Sequence, residues 1–167
     1  MNLSRIAIAI LVVLSALSAA AQSAPQKTFD QMKSLTGMWE GKTKQGDPVQ
    51  VSYRMTAGDS ALMSEIQSAK HGQNEDMISM IHLDGGRVLL THYCAAGNQP
   101  RMVASASPDG KTITFDFLDV TNLSNPDAVY MNRVVFNFID ANHHTEEWHA
   151  VVNGKDMVEV FDLQRKG

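Results

Sequence analysis

The chain is poor in cysteine and in positive charge, with one Cys and no cluster of Lys or Arg among its 167 residues. One Cys cannot form an internal disulfide, nor a zinc or iron–sulfur site built from several cysteines. Fourteen Lys and Arg against eighteen Asp and Glu give a net charge of −4. This argues against nucleic-acid binding, which needs a concentrated positive surface. Only 19% of the residues are charged and 44% are apolar, a composition that excludes intrinsic disorder.

Residues 1–21 have the pattern of a secretory signal peptide. Arg5 supplies a positive charge, Ile6–Leu14 is an unbroken apolar stretch, and three alanines ending at Ala21 match the small-residue cleavage pattern. The apolar stretch is shorter than the roughly 20 residues that a membrane span requires. We therefore expect cleavage after Ala21 and a mature domain, residues 22–167, that is exported to the periplasm or secreted and has no integral membrane span.

The mature chain has the pattern of short strands separated by turns. Pro25–Ser34 has apolar residues at helical spacing and predicts one short helix. After it, apolar and polar residues alternate, as in Val49–Thr56, while Asp-Gly and Asn-Gly pairs favour tight hairpin turns. The segment Asp119–Tyr130 is expected to be a loop or a helical turn. The predicted strands are Leu35–Thr43, Val49–Thr56, Ala61–Ala69, Met77–Leu83, Val88–Cys94, Arg101–Ser107, Thr112–Leu118, Met131–Ile139, Thr145–Val152 and Met157–Leu163.

Ten strands at hairpin spacing, with almost no helix, predict an all-β fold. We expect an antiparallel up-and-down barrel of about ten strands with a short N-terminal helix, because closing the sheet leaves no exposed edge. The mature chain is expected to form this single domain, since it contains no internal repeat, linker or low-complexity segment.

Two segments resemble known β-barrel proteins. The G-x-W-x-G pattern of residues 37–41 resembles the start of lipocalin-like (calycin) barrels and of the related nitrobindin-type and fatty-acid-binding-type barrels. The string Leu90–Met102 (LTHYCAAGNQPRM) is similar to a bacterial family of exported, uncharacterised lipocalin-like proteins, which often has a His-Met pair where this chain has Tyr130-Met131. The resemblance implies a ten-stranded calycin-type barrel and no particular activity. In such a barrel Trp39 can plug the base, and its flanking glycines allow backbones to approach closely.

A barrel of this size can hold one small ligand between apolar walls and a few polar anchors. We therefore predict a binding protein for a small, largely apolar molecule, with no catalytic residues assigned. The predicted ligand-binding residues are Glu65, His82, His92, Asn98 and Arg101 as polar anchors, with Tyr53, Met63, Met80, Cys94, Met102 and Trp148 as lining.

The facing of two of these histidines depends on the turn between them. If Gly85-Gly86 forms a two-residue turn, Asp84 pairs with Arg87, and His82 and His92 fall on opposite faces of the sheet. If the turn has three residues, the two histidines share a face. We favour an inward position for His92. The residues that would then face solvent, Thr91 and Tyr93, tolerate it better than Leu90 and Cys94 would.

The sequence is also compatible with other functions. An enzyme would use His92 or Glu65 as an acid–base group. A structural envelope protein would have a filled barrel. Cys94 follows His92 by two residues and could be a nucleophile, but no reactive-cysteine motif surrounds it. We therefore predict that Cys94 is buried and packs as a small apolar side chain.

A further alternative is a metal or haem site near residues 143–149 (HHTEEWH). On a strand, Glu147 and His149 project to one face, and His144, Glu146 and Trp148 to the other. Nitrobindin-type barrels hold haem through a proximal His, and the resemblance makes His149 the nearest candidate ligand. The spacing fits no zinc-hydrolase motif, so neither a metal nor a cofactor is predicted.

Overall fold

The computed structural model describes residues 22–70 and 73–167, so the predicted signal peptide at residues 1–21 lies outside the described residues. The described chain forms a closed antiparallel barrel of ten strands, in which each strand pairs with its sequence neighbours and β1 pairs with β10. This confirms the predicted fold class. The elements are α1 (Ala24–Lys33), β1 (Gly37–Thr43), β2 (Pro48–Thr56), β3 (Ala61–Lys70), β4 (Gln73–Asp84), β5 (Arg87–Tyr93), β6 (Gln99–Ala106), β7 (Thr112–Thr121), β8 (Tyr130–Asp140), β9 (His143–Val152) and β10 (Lys155–Arg165).

The observed strands lie within a few residues of the predicted ones, because alternation and turn residues mark them locally. The segment predicted as a loop or helical turn is shorter than expected, since β7 continues to Thr121. The remaining residues, 122–129, form an irregular loop. No helix in the described ranges has the length and apolar character needed to cross a membrane.

Helix α1 covers one end of the barrel, which we call the closed end. The helix begins after Ser23, whose side chain accepts a hydrogen bond from the backbone N–H of Gln26 at 3.4 Å. Its apolar residues Phe29 and Met32 are buried, and the helix contacts β4, β5 and β6. A short amphipathic helix of this kind is stabilised mainly by packing its apolar side against the sheet.

Trp39 fills the same end from β1, as expected for a residue that plugs the base. Its side chain is 1% exposed, and its indole N–H donates to the carbonyl of Leu35 at 2.7 Å. The Arg165 guanidinium lies over the indole ring, 4.3 Å from the ring centroid, and donates to the carbonyls of Ser34 and Thr36. The last residue of β10 is thereby tied to the segment that precedes β1.

Gly41 allows β1 and β10 to approach each other closely. A Cβ atom at this position would lie 1.8 Å from the carbonyl oxygen of Asp162, far inside any van der Waals contact. Gly41 pairs with Leu163, so the contact lies in the pairing that closes the barrel. A side chain at residue 41 would therefore force the two closing strands apart.

The turn between β4 and β5 has two residues, Gly85 and Gly86, with Asp84 opposite Arg87. This register places His82 opposite Leu89 and His92 opposite Ser79. The two histidines consequently lie on opposite faces of the sheet. His92 is fully buried inside the barrel and His82 is half-buried on the outer face.

We expect Gly41→Ala to lower the free energy of unfolding by about 1–3 kcal/mol or more, the usual cost of forcing extra atoms into a packed region. Urea unfolding of the mature chain measures it. Gly86→Ala is the matched control, because a Cβ there meets no atom within 4 Å, and it should leave the stability nearly unchanged. Equal stabilities for the Gly41→Ala variant and the native chain would contradict the close approach of β1 and β10.

Candidate functional site

The end of the barrel opposite α1, the open end, contains a cavity of about 250 Å³. This is somewhat smaller than the cavities of about 300–1,000 Å³ that hold drug-sized ligands, so it suits a smaller molecule. Its walls are mostly apolar and come from the hairpins and loops that meet at this end. The lining residues are Thr43, Asp47, Ile66, Ser68, Met77, His92, Cys94, Ala95, Ala96, Val129, Met131, Trp148, Ala150, Val152, Met157, Val158, Glu159 and Phe161.

His92 is the most deeply buried polar residue of this lining, with 0% of its surface exposed. Its Nδ1 atom lies 2.9 Å from the Ser79 hydroxyl, but its Nε2 atom has no hydrogen-bond partner in the described part of the chain. Burial lowers the pKa of His92 from its ordinary value of 6.5 to about 4, so the ring is neutral at neutral pH. A buried polar atom of this kind normally has a partner, and a ligand group can provide one.

Register places His92 at the end of a row of polar residues inside the barrel. Tyr53 on β2 lies opposite Ser64 on β3, Ser64 lies opposite Ser79 on β4, and Ser79 lies opposite His92 on β5. All four side chains are buried. The row crosses four neighbouring strands, from the cavity residue His92 to Tyr53, which contacts a second buried polar group.

That second group is the carboxylate of Glu146, which is fully buried on β9. Oε1 accepts a short hydrogen bond from the Tyr53 hydroxyl, Oε2 accepts one of 2.8 Å from the Trp148 indole N–H, and His144 Nε2 lies 3.2 Å from Oε1. Burial and the adjacent negative charge of Glu146 raise the pKa of Tyr53 well above its usual value, so the phenol keeps its proton and donates. Several partners on one carboxylate compensate its removal from water.

The Glu146 cluster fixes the side chain that shapes the cavity beside His92. Trp148 lines the cavity, its ring centroid lies 4.8 Å from that of His92, and its N–H is held by Glu146. The indole is therefore restrained by its hydrogen bond to Glu146 and by its contact with the His92 ring. The inner part of the cavity is formed by two aromatic rings whose orientations are set by buried hydrogen bonds.

Of the residues predicted to bind a ligand, His92, Cys94 and Trp148 line the cavity. Cys94 is half-buried, and its sulfur accepts a hydrogen bond of 3.4 Å from the backbone N–H of Ala96. It follows His92 by two residues, which explains why both reach the same cavity. These three residues come from β5, from the turn after it and from β9.

Three more predicted residues are buried but do not line the cavity. Tyr53 is deeper in the barrel, on Glu146, and Met102 is part of the core. Asn98 connects two loops of the open end, because its Nδ2 donates to the carbonyl of Val129 at 2.7 Å. Its role is thus to hold the β5–β6 turn against the β7–β8 loop, and Val129 itself lines the cavity.

The remaining predicted residues lie on the outer face and do not line the cavity. Glu65 lies between the buried residues Ser64 and Ile66, so alternation directs it outwards. Arg101 precedes the buried Met102, and its Nε donates to Asp119 at 2.6 Å. Opposite positions on β3 and β4 share a face, and this register places His82, Met63 and Met80 on the outer face as well. These outward residues are Glu65, Arg101, His82, Met63 and Met80.

His149, the candidate haem or metal ligand, also lies outside the cavity. Its Nδ1 is 2.9 Å from Asp156 and its Nε2 is 2.8 Å from Glu147, so both ring nitrogens contact carboxylates. Partial burial lowers the pKa of His149, but its hydrogen bonds to Asp156 and Glu147 outweigh this and raise it overall. The residue does not fit the proposed axial-ligand role. Within the described ranges, no group of three or more His, Cys, Asp or Glu has the arrangement of a metal site.

Sequence reasoning did not identify Ser79 or Glu146 as parts of the site. Alternation does group Glu146 with Trp148 on one face of β9, but it does not show whether that face points inwards. The deciding information is the pairing with β8 and β10, where Phe136 and Phe161 lie opposite Glu146 and are buried.

Comparisons with known proteins identify the fold only. No protein-family model matches the chain, and no curated protein matches it. Among solved structures, the barrel is similar to that described as "Crystal Structure of Rv2717c from M. tuberculosis", with a TM-score of 0.62, 14% sequence identity, and coverage of 87% of this chain and 100% of that one. The shared feature is the overall fold. Identity of this order carries no function from one protein to the other.

The neutral state of His92 predicts a specific loss of stability in acid. The unfolded chain binds a proton at this residue below about pH 6.5, whereas the folded protein does so only near pH 4. The contribution of His92 is therefore fully present above pH 6.5 and is lost as the pH falls towards 4, by about 3 kcal/mol.

His92→Gln removes the titrating group and can keep a hydrogen bond to Ser79. Urea unfolding of both proteins between pH 7 and pH 4 should show a steeper loss for the native chain. Parallel pH profiles would mean that His92 titrates equally in the folded and unfolded states, and this would contradict its burial.

Proposed function

We propose that this protein is an exported barrel that binds a small, largely apolar molecule in the cavity at its open end. The observation that carries the proposal is the His92 Nε2 atom, which is buried at the cavity and has no hydrogen-bond partner among the described residues. An inert, filled barrel would leave this atom unsatisfied at a cost of about 1–3 kcal/mol. The export of the protein remains an expectation from residues 1–21.

The walls of the cavity support a ligand that is mainly apolar. Ile66, Met77 and Phe161 line it together with several alanines and valines from the loops and strand ends of the open end. Removing apolar surface from water contributes about 25 cal/mol per Å², so even a small hydrocarbon body gains affinity in such a cavity. Small-residue walls at Ala95 and Ala150 leave the space that the ligand would occupy.

The His92 ring supports a single polar group on that ligand. The Ser79 hydroxyl can donate to Nδ1 or accept from it, so Nε2 is either a donor or an acceptor. A hydroxyl on the ligand can pair with Nε2 in both cases. We therefore expect affinity to rise when an apolar molecule carries one suitably placed hydroxyl group.

The hydrogen bonds behind Trp148 support tight binding of a rigid molecule. Glu146 accepts from both Trp148 and Tyr53, so the floor of the cavity is ordered before any ligand enters. Preorganised groups lose less conformational entropy on binding. Acid–base catalysis has less support, because one of its two candidate groups, Glu65, lies on the outer face. The other, His92, has only the Ser79 hydroxyl as a hydrogen-bond partner among the described residues.

The test uses two flat probes that differ by one hydroxyl, 1-naphthol and naphthalene. Titration of the mature protein, followed by Trp fluorescence and calorimetry, should show one-to-one binding of both probes and tighter binding of 1-naphthol. His92→Phe should weaken the binding of 1-naphthol by about 1–3 kcal/mol, the range for a lost buried hydrogen bond. The same substitution should change the binding of naphthalene much less.

His82→Phe is the matched control, since this histidine on the neighbouring strand is outside the cavity and its replacement should leave both affinities unchanged. Absence of saturable binding by either probe would contradict the proposed function. An equal effect of the two histidine substitutions would contradict the role of His92.

A further inference from the structure

The charged groups of the cavity all have one sign. Among the lining residues that the structure describes, Asp47 and Glu159 carry negative charge and none is Lys or Arg. Arg101, the cation expected in the lumen, lies outside and pairs with Asp119. The neutral His92 adds no positive charge. An anionic ligand such as a fatty acid would thus meet repulsion from these carboxylates, and no Lys or Arg among the described lining residues would pair with it.

Glu159 is directed into the barrel by the register of β10. It lies opposite Trp148 on β9, and alternates with Phe161 and Met157, which also line the cavity. Opposite residues in an antiparallel pair have Cβ atoms about 4.5–5.5 Å apart, so this carboxylate is at the depth of the indole. Its Oε1 atom is buried and has no hydrogen-bond partner in the described ranges.

His92 adds a second unpartnered polar atom to the same cavity wall. Its side chain is fully buried, and its Nε2 atom is unpartnered like Glu159 Oε1. The neighbouring Trp148 offers no free donor, because its N–H is already held by Glu146. The Glu159 carboxylate only accepts, and His92 Nε2 accepts when Nδ1 carries the ring proton, so a ligand that brings donors and a positive charge satisfies this wall best.

We infer that the ligand is a small amphipathic amine, protonated at neutral pH, whose ammonium group pairs with Glu159 while its apolar body occupies the cavity. Asp47 adds a second negative charge at the rim, on the β1–β2 turn, where its backbone is fixed by hydrogen bonds with Thr43. This inference rests on the proposed function, since it names the chemical class of the ligand for the same cavity.

The test compares three probes of nearly equal size, hexylamine, 1-hexanol and hexanoate, by calorimetric titration of the mature protein at pH 7. Hexylamine should bind about tenfold more tightly than 1-hexanol, the scale of a hydrogen bond to a charged group, and hexanoate should bind most weakly. Glu159→Gln should reduce the affinity for hexylamine to that for 1-hexanol and leave the affinity for 1-hexanol unchanged.

Glu65→Gln is the matched control, because it removes the same charge from the outer face and should not alter the order of affinities. Asp47→Asn, on the β1–β2 turn at the rim of the cavity, is a second variant that should lower the preference for the amine if Glu159→Gln does not fold. One-to-one binding of 1-hexanol without a preference for hexylamine would overturn this inference alone. Failure of all three probes to bind would overturn the proposed function as well.

Discussion

The carbonyl of Asp162 lies where a side chain at position 41 would have to be, and this close approach of β10 to β1 determines whether the sheet closes. Arg165 reinforces the closure from the end of β10, since its guanidinium lies over Trp39 and reaches the carbonyls that follow α1. A closed sheet has an inside, and every alternate side chain must then be accommodated there. The core, the buried polar row and the cavity all follow from that one constraint.

The two ends of the barrel use their inner positions differently. The closed end contains large side chains such as Trp39, Phe115 and Phe136, and α1 covers it. Towards the open end the inner positions carry alanine and valine, and the space they leave is the cavity. Between the two lies a polar layer around Glu146, whose carboxylate accepts the indole N–H of Trp148 and holds that ring in place. This layer orders the floor of the cavity, and His92 Nε2 and Glu159 Oε1 in the cavity wall have no hydrogen-bond partner among the described residues.

Much of the fold could be predicted because its signals are local, whereas the site depended on register. Alternation and the Gly85-Gly86 turn predict strands and a hairpin, and both are confirmed. The facing of Glu65 and Arg101 cannot be obtained in this way, because a shift of one residue exchanges inside for outside. Near Arg101 a β-bulge interrupts the pairing of β6 with β7, and no local pattern announces it. Alternation places Glu146 on the same face as Trp148, but the burial of Glu146 depends on partners from distant parts of the chain.

The central claim is that His92 presents a neutral, unpaired Nε2 atom to a ligand in the cavity. Nitrogen-15 NMR of the mature protein, labelled in histidine, reports this atom directly. At pH 6 the His92 ring should have the signals of a neutral imidazole, and its Nε2 resonance should shift as 1-naphthol saturates the protein at one equivalent. A protonated ring at pH 6, or saturation that leaves the Nε2 resonance unchanged, would contradict the account.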